Sequence, residues 1–397
     1  MTRRKGLRAG AFAGLAAPVA ARAQTPAPAP RGTGDLGIVV ERAAGAVLIV
    51  DTTARRTLAR VEGFGDLSHA AAVFSRCERY AYVFGRDGGL TKLDLLTARI
   101  EARVVQAGNA IGGAISDDGK LIAASNYTPG GVRFFDAGTL APLADIPAIG
   151  ADGRASKTVG LVDLPGRRFV WSLYDSGEIW IADMSRPAEP KLAKLPNAGA
   201  LPYDGNVTSD GRHYLAGLFG EDGFAHVDLW EETPQVRRVF QGYNAGRAKL
   251  PVYKMPHLEG WGQSGSRLIL PATGQNEILV LDLESMREQA RVPAHGQPVF
   301  CVARPDGREV WVNFAHPAND TVQVYDTHLK RIVHTFAPGP AVLHLEFTPR
   351  GHEVWISVRD ADRIDIMDVR TRAKIAELPA QKPSGILFAA RAHRLGV

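Results

Sequence analysis

Position 69 carries a histidine, in the stretch DLSHAAAVFSR, whose ring could ligate a metal or move a proton near neutral pH; the commoner use of a lone histidine is structural. Arg86 and Asp87, in FGRDGGL, offer a guanidinium that could hold a carboxylate, or a salt bridge closed within one turn. Asp204, in PYDGN, could act as a general base if burial raised its carboxyl toward neutrality, and Asp-Gly is equally good turn chemistry. Asp163, in LVDLPG, has the same two readings, with the turn favoured by Pro-Gly. Asn126 and Tyr127, in SNYTPGG, could give a flat face and a hydrogen bond to a planar ligand, or merely join two strands. Arg154, Lys157, Arg247 and Lys254 could meet acidic groups of a ligand, against the ordinary role of solvated cations. His295, His316 and His344 come late in the chain, and at least two of them suit structural roles.

Common catalytic motifs are absent. There is no G-x-S-x-G, no closely spaced histidine metal motif and no phosphate-binding glycine loop. No C-x-x-C-H occurs, so no c-type haem is attached. Cys77 and Cys301 are too far apart in the repeat pattern described next to suggest a disulfide.

The elements that must position these residues come from a repeat. Eight apolar runs each end in one aspartate: Asp51, Asp94, Asp136, Asp183, Asp228, Asp282, Asp326 and Asp368, at intervals of 42 to 54 residues. That period suits one four-stranded propeller blade. Upstream of most runs lies a tight turn followed by an alternating strand: SDDGKLIAAS, TSDGRHYLAG, RPDGREVWVN and TPRGHEVWIS. The fold class is therefore all-β, an eight-bladed β-propeller over residues 35–397. The orphan strand GILFAA pairs with the N-terminal GIVVER to close the ring and remove exposed edges. Candidate residues at blade starts then converge on a central channel, while Trp171, Trp180, Trp311 and Trp355 fall at alternating strand positions suited to packing between blades.

The N-terminus differs in kind. Residues 1–23 read as an export signal with paired arginines, a small apolar stretch and an A-x-A cleavage cue, and residues 24–34 as a Pro/Ala-rich linker. The expected destination is the periplasm by the twin-arginine route, the ordinary secretory route being the alternative. The formal charge of +5 includes Arg3, Arg4, Lys5, Arg8 and Arg22, all before that cue, so the processed chain is neutral and its basic precursor pI argues for no nucleic-acid partner. No apolar run is long enough to span a membrane.

The run from His69 through Leu95 resembles the opening of the propeller domain that binds haem d1 in cytochrome-type nitrite reductases. Together with IGGAISDDGKLIAASNYTPGGV, LPYDGNVTSDGRHYLAG and YKMPHLEGWG, it resembles the NirF family of haem d1 biosynthesis proteins over essentially the whole processed chain. The resemblance implies haem d1 or a late precursor as ligand or substrate. It implies His69 as axial ligand to the iron and Arg86 as a partner of the macrocycle's carboxylates. It also places His257, in KMPHLEG, where the reductase has one distal histidine, and Tyr203 where it has the other.

That replacement and the missing c-type haem argue against nitrite reduction. The implied role is a late tailoring step in haem d1 assembly, an oxidoreductase activity of dehydrogenase type, with His257, Tyr203, Asp204 and Asp163 as candidate catalytic residues. His69, Arg86, Asn126, Tyr127 and Arg247 are the candidate binding residues. The competing expectation is a carrier that delivers haem d1 to nitrite reductase without chemistry of its own; a pigment-free interaction scaffold is a third. Nitrite reductase, other proteins of the same pathway and a second copy of the chain are the partners this reading allows.

Overall fold

The computed structural model of the chain describes residues 32–248, 250 and 260–395. The expected leader and most of the linker, together with His257 and Lys254, lie outside the described residues. Among the described residues, thirty-two strands form eight antiparallel four-stranded sheets, which are the eight blades of a β-propeller. The innermost strands of blades 2 to 8 are Ala71–Phe74, Asn109–Ile115, Thr158–Leu164, Pro202–Val207, Gly262–Ser264, Pro298–Ala303 and Val342–Phe347. Blade 1 takes its three outer strands, Leu36–Glu41, Ala46–Asp51 and Arg56–Glu62, from the N-terminal side and its innermost strand, Pro383–Phe388, from the C-terminal side. The expected closure is thus present, with Ile38 opposite Leu387. The Glu41 carboxylate reinforces it by accepting from the Gln381 amide at 2.7 Å and from Arg60 at 2.6 Å.

The sequence pattern explains the layering. Ala46–Asp51, Gly89–Asp94 and Glu309–Phe314 are buried along their whole length, because a middle strand has another blade against each face. The outermost strands, such as Lys191–Leu195, carry the charges that keep their free edges from pairing with another chain. Trp171, Trp180, Trp311 and Trp355 are fully buried between blades.

The recurring aspartate is a turn device. Asp51 accepts from the Ala54 amide at 2.7 Å, Asp326 from Leu329 at 2.7 Å and Asp368 from Thr371 at 2.7 Å, satisfying amides that the hairpin leaves free. An arginine ahead of the second strand clasps the same carboxylate in three blades: Arg79 on Asp94, Arg212 on Asp228 and Arg308 on Asp326, at 2.7, 2.8 and 2.8 Å. Blade 5 buries an imidazole pair, His213 Nδ1 and His226 Nε2, 2.9 Å apart. One ring must donate and the other accept, and burial favours the neutral form of both. Burial pushes the His226 pKa down to about 4. Neither Cys77 nor Cys301 is in a disulfide.

Candidate functional site

The end of the channel where the innermost strands begin is here called the upper end. A cavity of about 340 Å³ begins there and runs down the channel as far as Arg391, walled by the inner strands of blades 2, 3, 4, 5, 7, 8 and 1. Its wall is built of small residues: Ala70–Ala72, Gly112 and Gly113, Gly160, Gly205 and Gly385. Three of these glycines are required by the packing, Gly113 because a Cβ there would overlap the Phe84 ring. Gly160 has φ +58°, and a Cβ there would sit 2.8 Å from the Tyr203 carbonyl oxygen; a Cβ on Gly205 would overlap the Tyr214 hydroxyl. Tyr214 is fixed in turn by donating to the Gly160 carbonyl at 2.8 Å. The inner strands also slip register at this level, between Val159 and Val162, Pro202 and Gly205, and Val342 and Leu345. Such bulges let neighbouring residues, including Tyr203 and Asp204, both reach the cavity.

His69 stands exposed on the cavity wall. Its loop is anchored below by the buried side chains of Phe64 and Leu67 and is shaped by Asp66, which accepts from the Ser68 amide at 2.8 Å. That bond, aided by the charges of Arg86 and Arg42, holds the Asp66 carboxyl below the usual range. The Asp66 carbonyl receives the Arg86 amide at 2.7 Å, and Arg42 donates to the Ser68 carbonyl. Asp87 pairs with Arg103 at 2.6 Å. The Arg86 guanidinium lies 5.3 Å from the centre of the Tyr127 ring.

Tyr127 and Tyr203 share a hydroxyl–hydroxyl bond of 2.5 Å. Burial and that bond push the Tyr127 phenol well above its ordinary pKa. The Tyr203 ring stacks on Phe219 at 4.2 Å and meets Tyr174 edge-on at 5.8 Å, and Lys157 sits 4.9 Å over Tyr174 while pairing with Asp175 at 2.9 Å. An aromatic tier capped by a cation at either end therefore runs across blades 3 to 5. Asp204, buried, and His344, half-buried, also line the cavity. His344 Nδ1 accepts the Ile386 amide at 3.2 Å, so Nε2 carries the proton of the neutral ring; burial keeps it neutral, with a pKa near 4.

Three expected site residues lie elsewhere. Asp163 is at the far, lower end of the blade 4 inner strand, next to the Pro165-Gly166 turn and 3.7 Å from Arg76. It is one strand-length from Tyr203 and belongs to a structural corner, so it is not a member of the cavity. Asn126 is completely buried, with its amide group exchanging hydrogen bonds of 2.8 and 3.1 Å with Gln106, which leaves it no face for a ligand. Arg247 pairs with Glu277 at 3.1 Å at the head of the third strand of blade 6, away from the cavity wall. Arg154 is tied to Asp152 at 2.7 Å. His69, Arg86, Tyr127, Tyr203 and Asp204 are the expected residues that the fold gathers at the upper end. The sequence reading gave no weight to Phe219, Tyr174 and Arg42, and too little to His344.

The family profile described as Cytochrome D1 heme domain matches residues 31–392. A protein NirF of Pseudomonas aeruginosa is 56% identical over 369 residues, covering 92% of this chain and 94% of that protein. The chain belongs to the NirF family. A second NirF, from Stutzerimonas stutzeri, is 54% identical over the same shares. A more distant relative is the dihydro-heme d1 dehydrogenase of Pseudomonas aeruginosa, 29% identical over 88% of this chain and 70% of the enzyme. A solved structure described as dihydro-heme d1 dehydrogenase NirN in complex with DHE superposes with a TM-score of 0.79 at 26% identity, covering 93% of this chain and 78% of that one.

Proposed function

We propose that the upper cavity of this NirF-family propeller takes haem d1 or a late precursor as substrate, in the periplasm, and that the chain acts in a late oxidative tailoring step. The observation that carries this reading is the wall of small residues with one exposed imidazole, His69, set into it. Glycine and alanine leave room for a flat ring, and a neutral imidazole suits iron. Arg86 and Arg42 flank His69 and supply charge for the macrocycle's carboxylates. The dehydrogenase named above, which shares the fold, acts on a dihydro form of haem d1, and this motivates the reaction class.

A dehydrogenation removes two electrons and two protons from a saturated carbon pair. The electrons would pass to a separate redox partner or soluble acceptor. Asp204 is the wall group placed to take a proton, whereas His344, with Nδ1 accepting the Ile386 amide and Nε2 carrying the ring proton, can only donate a hydrogen bond to the ligand. The 2.5 Å bond between Tyr127 and Tyr203 favours the second reading, a carrier: two phenols bonded to each other, with that of Tyr127 held protonated, are better suited to clamping a ligand than to moving its protons.

Absorption titration with haem d1, wild type against His69→Ala, tests the site. A spectral shift that is altered in the variant supports ligation. No shift in either protein would overturn the binding reading. Anaerobic incubation with dihydro-haem d1 and an artificial electron acceptor then separates enzyme from carrier: conversion that Asp204→Asn abolishes while binding persists supports catalysis, and binding without conversion supports carriage.

A further inference from the structure

After its innermost strand the chain does not stop at blade 1. A single-turn helix, Ala389–His393, follows and runs on to Leu395. Its contacts trace a path across the lower end of the channel. Ala389 and Ala392 are buried in the core shared by blades 1 and 2, and the Ala392 carbonyl accepts from Arg76, in the lower turn of blade 2. Arg391 forms a two-pronged ion pair with Glu346 of blade 8, at 2.9 and 2.8 Å, and Glu346 is buried. His393 reaches Glu78 of blade 2 at 2.8 Å. Leu395 then packs on the core of blades 4 and 5, so close over Gly211 that a Cβ there would come within 2.8 Å of its Cδ2. In a ring of eight, blade 5 lies opposite blade 1, so this segment crosses the full diameter of the channel.

From this path we infer that Ala389–Leu395 is a strap across the lower mouth, and that a planar tetrapyrrole enters and leaves the propeller through the upper mouth alone. The part concerning the tetrapyrrole rests on the proposed function. The strap halves the lower opening rather than sealing it: a second cavity of about 400 Å³ remains between it and blades 5 to 8, sharing Asn206, Phe300, His344 and Arg391 with the upper one. Water and protons have a route there; a rigid macrocycle does not. A protein that delivers the pigment and one that receives it must therefore use the same face, one after the other.

The test begins without ligand. Val302, on the wall of the lower cavity and not of the upper one, becomes the reporter thiol in a Val302→Cys, Cys77→Ser protein; Cys301 is wholly buried and its thiol pKa is pushed up, so it stays silent. Labelling by a polyethylene-glycol maleimide is timed with the strap intact and with it loosened by Leu395→Ser, Arg391→Gln and Glu346→Gln, the last preventing a buried charge from losing its partner. Matching far-ultraviolet circular dichroism and melting confirm that both proteins are folded. The loosened protein should label about tenfold faster or more, as expected when a barrier is replaced by an open path. Equal rates would overturn the inference. Haem d1 release to excess apo nitrite reductase is measured next and should also accelerate. If labelling changes and release does not, the strap stands and the placement of the macrocycle in this channel fails.

Discussion

Replacing His226 with glutamine should make the propeller less sensitive to acid. In the folded protein the His213–His226 pair is buried and bonded at 2.9 Å, with burial the main reason that His226 resists a proton; the neighbouring cations Arg237 and Arg212 add to it and Asp228 opposes it. The folded pKa is depressed, to about 4 from an ordinary 6.5, so the unfolded chain binds the proton first as pH falls. Stability is therefore complete above about pH 6.5 and is lost progressively toward pH 4. At roughly 1.4 kcal/mol per pH unit, that interval corresponds to about 3 kcal/mol from this pair. Glutamine keeps a polar partner for His213 and cannot take up a proton. Urea midpoints for both proteins across the window should show the variant's stability declining less steeply with acid, the two curves diverging by up to about 3 kcal/mol at the low end. His344 loses stability in the same direction in both proteins and cancels in the difference. Parallel curves would refute the argument, because they would mean that the folded pair accepts a proton without penalty.

Two further outcomes follow from the cavity. Gly112→Leu should fold with wild-type melting, since a Cβ at Gly112 meets nothing closer than Ser125 Oγ at 3.8 Å, yet it should weaken haem d1 binding by about tenfold or more in absorption titration by filling the flat wall. Tyr127→Phe removes the bond to Tyr203 and should lower stability by about 1 kcal/mol in urea, while perturbing the bound haem d1 spectrum less than His69→Ala does.

The propeller was legible because its signals are local: an aspartate that closes each hairpin and a glycine turn ahead of each second strand repeat wherever the backbone needs them. Part of the site was legible on the same terms. Ala71, Gly112, Asp204 and His344 each lie four residues before the Ser or Thr that opens the lower turn, Ser75, Ser116, Thr208 and Thr348, and all four line one cavity. Counting from the turns would have raised His344 to the level of Asp204. The same count puts Asp163 at the lower turn itself, three residues before Gly166, where it cannot reach Tyr203. The partners of Asn126 and Arg247 were not legible. Gln106 and Glu277 are brought to them by pairing and packing that no motif marks.

The strand that completes blade 1, Pro383–Phe388, is synthesised after every other strand of the ring. Until it docks, Leu36–Glu41 presents an unpaired backbone edge and blade 8 lacks its neighbour, so a nearly finished chain is an open arc with sticky ends. That pairing joins residues separated by almost the whole sequence, so it closes the largest loop in the fold. A single polar side chain, Glu41, grips both the outer strand of that blade and the approach to the arriving one. Its loss should show less in the finished ring than in the yield of chains that ever close it.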